Sequence, residues 1–229
     1  MRKKSQRILS LFLSLVTVCL LYTSLFGARI CCVGLQGSCG RGEAGPESDI
    51  DVVLILDQVS MVDLERYRAA AEALPQREKL CGFVSGRREL EHWDRAELIS
   101  FYYDTTPIEG DLNFLLPLLR PADVRRAVLA GACGIYHACS HNYLHTRSEE
   151  LVQQLQKAAF FTLRIAHFER TGVFVKQRQG LMPLLRPEER ALLERQPDWQ
   201  ALTERLLQWA SGLICAYGVE NNGAEYGHI

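Results

Sequence analysis

Two aspartates and a glycine-rich segment stand close together in the chain and could carry chemistry. Gly37, Ser38 and Gly42 are followed by the run Ser48-Asp49-Ile50-Asp51. Side chains alternate along a strand, so the two aspartates are predicted to point to one face while Ile50 points into the core. Two adjacent carboxylates repel each other unless a cation lies between them, and oxygen ligands of this kind suit Mg²⁺. The spacing therefore predicts a metal site.

The glycine-rich segment is predicted to hold phosphate groups. Residues 29–35 indicate a short buried strand, which Gly37 and Ser38 end. Glycine lets backbone amides approach a phosphate, and free amides at the start of a helical turn favour an anion. The hydroxyl of Ser38 adds a donor for a phosphate oxygen. We therefore expect a triphosphate on this turn, with its metal ions held by Asp49 and Asp51.

These residues resemble the signature of the nucleotidyltransferase superfamily of the DNA polymerase β type, which runs Gly-Ser, a second Gly, then Ser-Asp-x-Asp. The positions that match it are Gly37, Ser38, Gly42, Ser48, Asp49 and Asp51. The resemblance covers residues 25–115. It implies an Mg²⁺-dependent enzyme that moves a nucleoside monophosphate from an NTP, most simply AMP from ATP, to a hydroxyl of a small molecule. The alternative interpretation is a glycine turn beside an exposed acidic hairpin.

A third carboxylate usually completes a site for two metal ions, and it comes from an adjacent strand. Residues 98–103 are predicted to form an apolar strand that Asp104 ends. Asp104 is therefore the candidate for a third catalytic and metal-binding carboxylate, with Glu109 and Asp111 as alternatives. A plain turn residue that caps the strand is the other reading of Asp104.

The periodicity of the chain predicts an α+β fold in two domains. Residues 1–120 are predicted to form a mixed-sheet catalytic domain, and residues 121–229 an all-helical substrate-binding domain. A further strand is expected at Cys81–Ser85. The predicted helices are Val62–Leu74, Ala122–His145, Ser148–Thr171, Pro187–Gln196 and Trp199–Tyr217, with Gly172, Gly180 and Pro197 as stops.

Composition excludes several classes of protein. A formal charge of −1 argues against a nucleic-acid-binding surface, and 48% hydrophobic with 23% charged residues is typical of a globular enzyme. The eight cysteines form no C-x-x-C pair, which favours reduced thiols in a cytoplasmic protein. Residues 8–28 lack charge and imitate a signal or membrane anchor. Their polar positions nevertheless cover one helical face, so we expect a soluble amphipathic helix and no membrane association.

Lys157, on a predicted helix, can reach a β- or γ-phosphate as a mobile point charge. A solvated surface lysine is the alternative. The layout is similar to the kanamycin nucleotidyltransferase group, in which a glutamate one turn before such a lysine serves as base. Gln153 stands there in this chain and cannot accept a proton. The base stays open among the acidic residues of the same helix, Glu149, Glu150 and Glu169.

Three histidines, His137, His141 and His145, recur at spacings of four. A zinc site is one reading of this row, but residues that line a substrate crevice fit better. The expected partners are a nucleotide and a small hydroxylated acceptor, and the oligomeric state is open. Two alternative functions remain: an antitoxin-type enzyme that attaches AMP to a protein, and a non-catalytic nucleotide-binding module.

Overall fold

The computed structural model describes residues 22–45, 48–74, 77–196 and 198–218 of the 229-residue chain. The chain divides into two compact units, residues 1–119 and 120–229. Most of the predicted N-terminal helix and the tail after Gly218 lie outside the described residues. Within the described ranges, no helix combines the length and the apolar composition needed to cross a membrane.

The first unit contains a mixed sheet, as predicted. Its described strands are β1 (Ile30–Leu35), β2 (Ile50–Leu56), β3 (Leu80–Gly86) and β4 (Thr106–Gly110). Residues 22–26 are helical, and the α-helices that follow β1 in this unit are α1 (Gly37–Gly40), α2 (Met61–Glu72), α3 (Arg87–Glu91) and α4 (Arg95–Asp104). The strand order is β3-β2-β1-β4. Strands β2 and β3 are parallel, whereas β1 pairs with β2 and β4 in the antiparallel sense.

Strand β2 is buried on both faces, which explains its nearly continuous apolar sequence. Leu54 faces a core cluster on one side, where the packed residues include Tyr67 of α2. Val53 and Ile55 face the opposite side, where they share a cluster with Leu98 of α4. The strand that carries the aspartates is therefore held from two directions.

Helix α2 is fixed at its start by a capping box. The hydroxyl of Ser60 accepts a hydrogen bond from the backbone N–H of Asp63, whose carboxylate accepts from the backbone N–H of Ser60 at 2.9 Å. Arg29, just before β1, donates to the same carboxylate at 2.7 Å. These hydrogen bonds, first from Arg29 and then from Ser60, hold the pKa of Asp63 well below its ordinary value of 3.8.

The predicted strand at residues 98–103 is wrong, because this segment belongs to helix α4. The Asp94 side chain caps that helix, accepting hydrogen bonds from the backbone N–H groups of Ala96 and Glu97 at 2.9 and 3.2 Å. The cap fixes the first helical turn, and the aromatic run that favours a strand continues the helix instead. Strand β4, which the sequence did not predict, begins two residues after α4.

The second unit contains helices and, among its described residues, no strand. The helices are α5 (Pro121–His141), α6 (Glu149–Thr171), α7 (Arg178–Leu181), α8 (Pro187–Leu193) and α9 (Trp199–Gly218). A π-helical turn at Asn142–Thr146 follows α5. Gly172 ends α6 with a φ of 71°, as predicted, whereas Gly180 lies inside α7 and ends no helix. The predicted stop at Pro197 falls outside the described residues.

Apolar residues at helical spacing form the core of the second unit. Ile135 and Cys139 stand one turn apart on α5, and Leu155 and Ala159 stand one turn apart on α6. Both pairs are buried in one cluster with Leu206 of α9. The all-helical prediction is confirmed because this periodicity is a local property of the sequence.

Candidate active site

The two aspartates lie at the start of strand β2. Asp49 is exposed and directly precedes the strand, and Asp51 is half-buried as its second residue. Ile50 between them is buried in the core on the face that also receives Leu54. Alternation therefore directs both carboxylates to the opposite face of the sheet.

The carboxylate of Asp51 lies directly against the glycine turn. Gly37 begins helix α1 with a φ of +62°, a conformation that favours glycine. A Cβ atom at Gly37 would lie 1.8 Å from Oδ2 of Asp51, so only glycine leaves room for the carboxylate. The backbone N–H of Gln36 also donates to the carbonyl oxygen of Asp51 at 2.9 Å. The turn and the start of β2 are thus held together by a backbone hydrogen bond and by close packing of the Asp51 carboxylate on Gly37.

Burial and the negative charges of both carboxylates affect the pKa of the Cys39 thiol, which lies in the middle of the turn. Burial raises the pKa of this thiol, and the negative charges of Asp51 and Asp49 raise it further. The Cys39 thiol donates to the carbonyl oxygen of Asp49 at 3.2 Å. Negative potential at this place would repel a polyphosphate unless a cation were bound, and carboxylate oxygens are suitable ligands for Mg²⁺.

The remaining signature residues shape the loop that connects the turn to β2. The carbonyl oxygen of Ser38 accepts from the backbone N–H of Glu43 at 2.8 Å. Gly42 has a φ of +71°, again in the region that favours glycine. The hydroxyl of Ser48 accepts from the backbone N–H of Gly45 at 2.9 Å. Ser48 therefore closes the loop just before Asp49.

Asp104 does not end a strand, as the sequence predicted, but is the last residue of helix α4. It is buried, and its carboxylate lies 3.3 Å from Nη1 of Arg41 in an ion pair. Across the described residues 22–45, 48–74, 77–196 and 198–218, no three His, Cys, Asp or Glu side chains form a group able to hold a metal ion. The structure thus does not join Asp104 to Asp49 and Asp51 as a three-carboxylate cluster.

The strands beside β2 provide no third carboxylate either. Cys81 of β3 stands opposite Asp51 in the parallel register, and neither β1 nor β3 contains an acidic residue. Glu109 pairs with Val33, two residues before the end of β1, and accepts a hydrogen bond from the hydroxyl of Thr23 at 2.6 Å. The other alternative, Asp111, accepts from the backbone N–H of Asn113 at 2.8 Å.

Three further residues, which the sequence did not single out, connect the glycine turn to the end of α4. Besides the Arg41–Asp104 ion pair, the Gln36 side chain donates to the hydroxyl of Thr105 at 2.8 Å. The hydroxyl of Thr106 donates to the carbonyl oxygen of Gly40, also at 2.8 Å. The sequence contains no local pattern for these contacts, because the partners stand 69, 63 and 66 positions apart.

The candidate residues of the second unit lie on its surface. Lys157 and Gln153 are exposed on α6, one turn apart. Glu169 differs from them because it is half-buried and its carboxylate has partners. It pairs with Arg125 at 2.8 Å and accepts a hydrogen bond from the hydroxyl of Tyr217 at 3.0 Å. Glu149 and Glu150 are exposed in the first turn of α6.

The three histidines form an exposed row in the second unit. His137 and His141 lie on α5, with ring centroids 6.3 Å apart, and His145 lies on the π-helical turn, 5.0 Å from His141. The three rings do not form a group able to hold a metal ion by themselves.

Comparison with known proteins agrees with this geometry. Residues 27–100 match the family model of the nucleotidyltransferase domain. The solved structure of a spectinomycin adenyltransferase from Enterococcus faecialis with ATP and spectinomycin is similar with a TM-score of 0.54 at 12% identity, over 89% of this chain and 99% of that one. A nucleotidyltransferase-like protein from Exiguobacterium sibiricum gives a TM-score of 0.38 at 9% identity, over 85% of this chain and 72% of that one. No curated protein sequence matches the chain significantly.

Residues 27–100, in which a mixed sheet sets a carboxylate against a glycine-serine turn, are therefore a nucleotidyltransferase domain. The family model covers the turn and both aspartates. This match confirms, for residues 27–100, the resemblance stated from the sequence.

Proposed function

We propose that the protein catalyses Mg²⁺-dependent transfer of a nucleoside monophosphate from an NTP, most simply ATP, to a hydroxyl group of a small molecule. The observation that carries the proposal is the Asp51 carboxylate lying over Gly37 at the start of the turn. The neighbour solved with ATP and spectinomycin shares the fold over 99% of its own length, which makes ATP and a small-molecule acceptor the natural substrates to propose. An aminoglycoside-like acceptor follows from that neighbour by analogy alone.

Asp49 and Asp51 would hold the metal ion. Their oxygens are hard ligands, and their repulsion is relieved only by a cation. Bound Mg²⁺ would neutralise the charge of the phosphate oxygens and of the departing pyrophosphate. We assign the metal to these two residues and not to Asp104, since the Asp104 carboxylate already faces a guanidinium.

The triphosphate would rest on the turn between β1 and β2. Gly37 and Gly42 allow the backbone to approach the phosphate oxygens, and Ser38 supplies a hydroxyl. Ser48 holds the loop closed before Asp49. Lys157 would add one positive charge for the β- or γ-phosphate.

The reaction needs few groups from the protein beyond these positions. The acceptor oxygen forms a bond to the α-phosphorus, the bond from that phosphorus to the bridging oxygen breaks, and pyrophosphate leaves with the electron pair. The hydroxyl proton passes to a base, a role that Gln153 cannot fill because an amide is not basic at neutral pH. A cytoplasmic location is part of the proposal, since the described cysteines are free thiols.

Incubation with labelled ATP, Mg²⁺ and a panel of hydroxylated antibiotics and metabolites tests the proposal, with the mass of the adduct as readout. We expect one class of acceptor to gain the mass of AMP while pyrophosphate is released. The matched control is Asp57→Asn, because Asp57 is an exposed aspartate that follows the other end of β2 and pairs with the half-buried Arg29, away from the turn. This control variant should keep full activity, whereas the double variant D49N/D51N should lose it.

Three results would contradict the proposal. The first is pyrophosphate release that survives in D49N/D51N, because the metal would then lie elsewhere. The second is AMP attached only to a copurifying protein, which would favour the protein-modifying alternative. The third is ATP binding without transfer to any acceptor, which would favour the nucleotide-binding module.

A further inference from the structure

The glycine turn at residues 37–42 is anchored to its surroundings by its own buried arginine. Arg41 follows α1 directly, and its side chain is only 7% exposed. Its Nη1 lies 3.3 Å from the Asp104 carboxylate at the end of α4, and its Nε donates to Glu43 at 2.9 Å. The Arg41 guanidinium therefore joins the turn to the end of a separate helix.

Two side-chain hydrogen bonds connect the same two segments. The Gln36 amide donates to the hydroxyl of Thr105 at 2.8 Å, just before the turn begins. The hydroxyl of Thr106 donates to the carbonyl oxygen of Gly40 at 2.8 Å, where the turn ends. Contacts at both ends thus tie the turn to the junction between α4 and β4.

The turn needs such anchors because it has little packing of its own. Glycine occupies positions 37, 40 and 42, and glycine loses more conformational freedom on folding than any other residue. A Cβ atom at Gly40 would lie 2.5 Å from the carbonyl oxygen of Leu35, so larger residues cannot replace this glycine without a shift of the backbone. Contacts with neighbouring segments can pre-organise such a glycine-rich turn for a ligand.

We infer that Asp104 is a positioning residue, which acts through Arg41 to keep the glycine turn in the conformation that receives the triphosphate. This inference rests on the proposed function for the identity of the ligand, whereas the contacts that anchor the turn are independent of that function. It replaces the metal-binding role that the sequence suggested for Asp104. A carboxylate that neutralises a buried guanidinium is a poor metal ligand, because a cation there would place two positive charges side by side.

The first test is hydrogen exchange, which needs no substrate. In the folded turn the backbone amides of Gly40, Arg41, Gly42 and Glu43 all donate to carbonyl oxygens of residues 36–39, at 2.8 to 3.2 Å. Asp104→Asn keeps the shape of the side chain but removes its charge, and we expect exchange of these four amides to accelerate about tenfold. Exchange at the wild-type rate would overturn the inference.

The second test separates positioning from metal binding in the variant Asp104→Asn. We expect KM for ATP to rise about tenfold while kcat falls less, because substrate must order the turn on binding. The Mg²⁺ concentration for half-maximal activity should stay at the wild-type value. A large rise in that concentration with unchanged KM for ATP would assign Asp104 to the metal and overturn the inference.

Two further variants keep the tests decisive. Glu91→Gln breaks an exposed ion pair with Arg87 in the same unit and should change neither readout. Thr106→Val removes the hydrogen bond from its hydroxyl to the carbonyl oxygen of Gly40 and should give a smaller change of the same kind. If D104N does not fold, T106V decides the question, and wild-type behaviour of T106V would then count against the anchor. If the wild-type protein transferred no nucleotidyl group, the proposed function would be contradicted. The hydrogen-exchange test of the anchor would still be valid, because it needs no substrate.

Discussion

Replacement of Gly37 by alanine should damage both the fold of the turn and the position of Asp51. An alanine at a φ of +62° costs about 1–2 kcal/mol, because its Cβ approaches the backbone in this region. That Cβ would also lie 1.8 Å from Oδ2 of Asp51. The carboxylate must move by about 1.6 Å to restore normal contact, at a cost of about 0.5–1.5 kcal/mol for a strained side chain. We expect a total loss of about 1.5–3.5 kcal/mol in the free energy of unfolding.

The effect on activity should exceed the effect on stability, since a displacement of about 1 Å in an active site can reduce the rate about 100-fold. Gly27→Ala is the matched control, because Gly27 has a φ of +51° in the same unit but no atom within 4 Å of a new Cβ. Urea unfolding and pyrophosphate release are measured for both variants. We expect Gly27→Ala to lose only the backbone cost and to stay active. Equal stability losses, together with full activity of Gly37→Ala, would refute the proposed contact with Asp51.

Three more predictions address other parts of the chain. Lys157→Ala should raise KM for ATP about tenfold, because a positive charge near the phosphates is lost. Arg205→Ala, which removes an exposed charge on α9, should leave KM unchanged. Equal KM values for the two variants in steady-state kinetics would mean that Lys157 is a solvated surface lysine without a role in binding. Burial, followed by the positive charge of a neighbouring arginine, lowers the pKa of His167 below 6.5, so the second unit should lose stability as pH falls below 6.5. Thermal unfolding between pH 7.5 and 5 should show a flatter loss for His167→Gln, and equal slopes would contradict the assignment. Asp63 has a pKa lowered mainly by Arg29, so it stabilises the fold above pH 3.8, and that contribution is lost as pH falls toward the lowered pKa. Asp63→Asn should therefore melt at a lower temperature at pH 7, with a difference from wild type that shrinks below pH 3.8.

The elements that the sequence predicted well are those with a strong local pattern. Strand β2 is apolar on both faces, and α6 combines a serine cap, a helical period and a terminal glycine. The aromatic residues before Asp104 favour a strand, which made the prediction for this segment wrong. The hydrogen bonds of the Asp94 cap stabilise the start of α4, and they outweigh this strand preference. Strand β4 is five residues long, contains Pro107 and lies at the edge of the sheet, so it carries little signal.

In the candidate site, too, the sequence predicted the residues that are close together in the chain but not the contacts between distant segments. Asp49, Asp51 and the glycine turn are close in sequence, so their spacing alone predicted that a carboxylate faces the turn. The anchor between Arg41 and Asp104 joins residues 63 positions apart, and the sequence contains no pattern for it. The register that sets Cys81 opposite Asp51 depends on the pairing of β2 with β3, which only the folded chain determines.

Calorimetric titration of ATP, with and without Mg²⁺, tests whether Asp49 and Asp51 bind the metal of the nucleotide, since it measures nucleotide binding and needs no acceptor. We expect Mg²⁺ to strengthen ATP binding to the wild-type protein about tenfold or more, and we expect this gain to disappear in D49N/D51N. Equal ATP affinity with and without Mg²⁺, or a gain that persists in the double variant, would contradict the claim that the two aspartates bind the metal of the nucleotide.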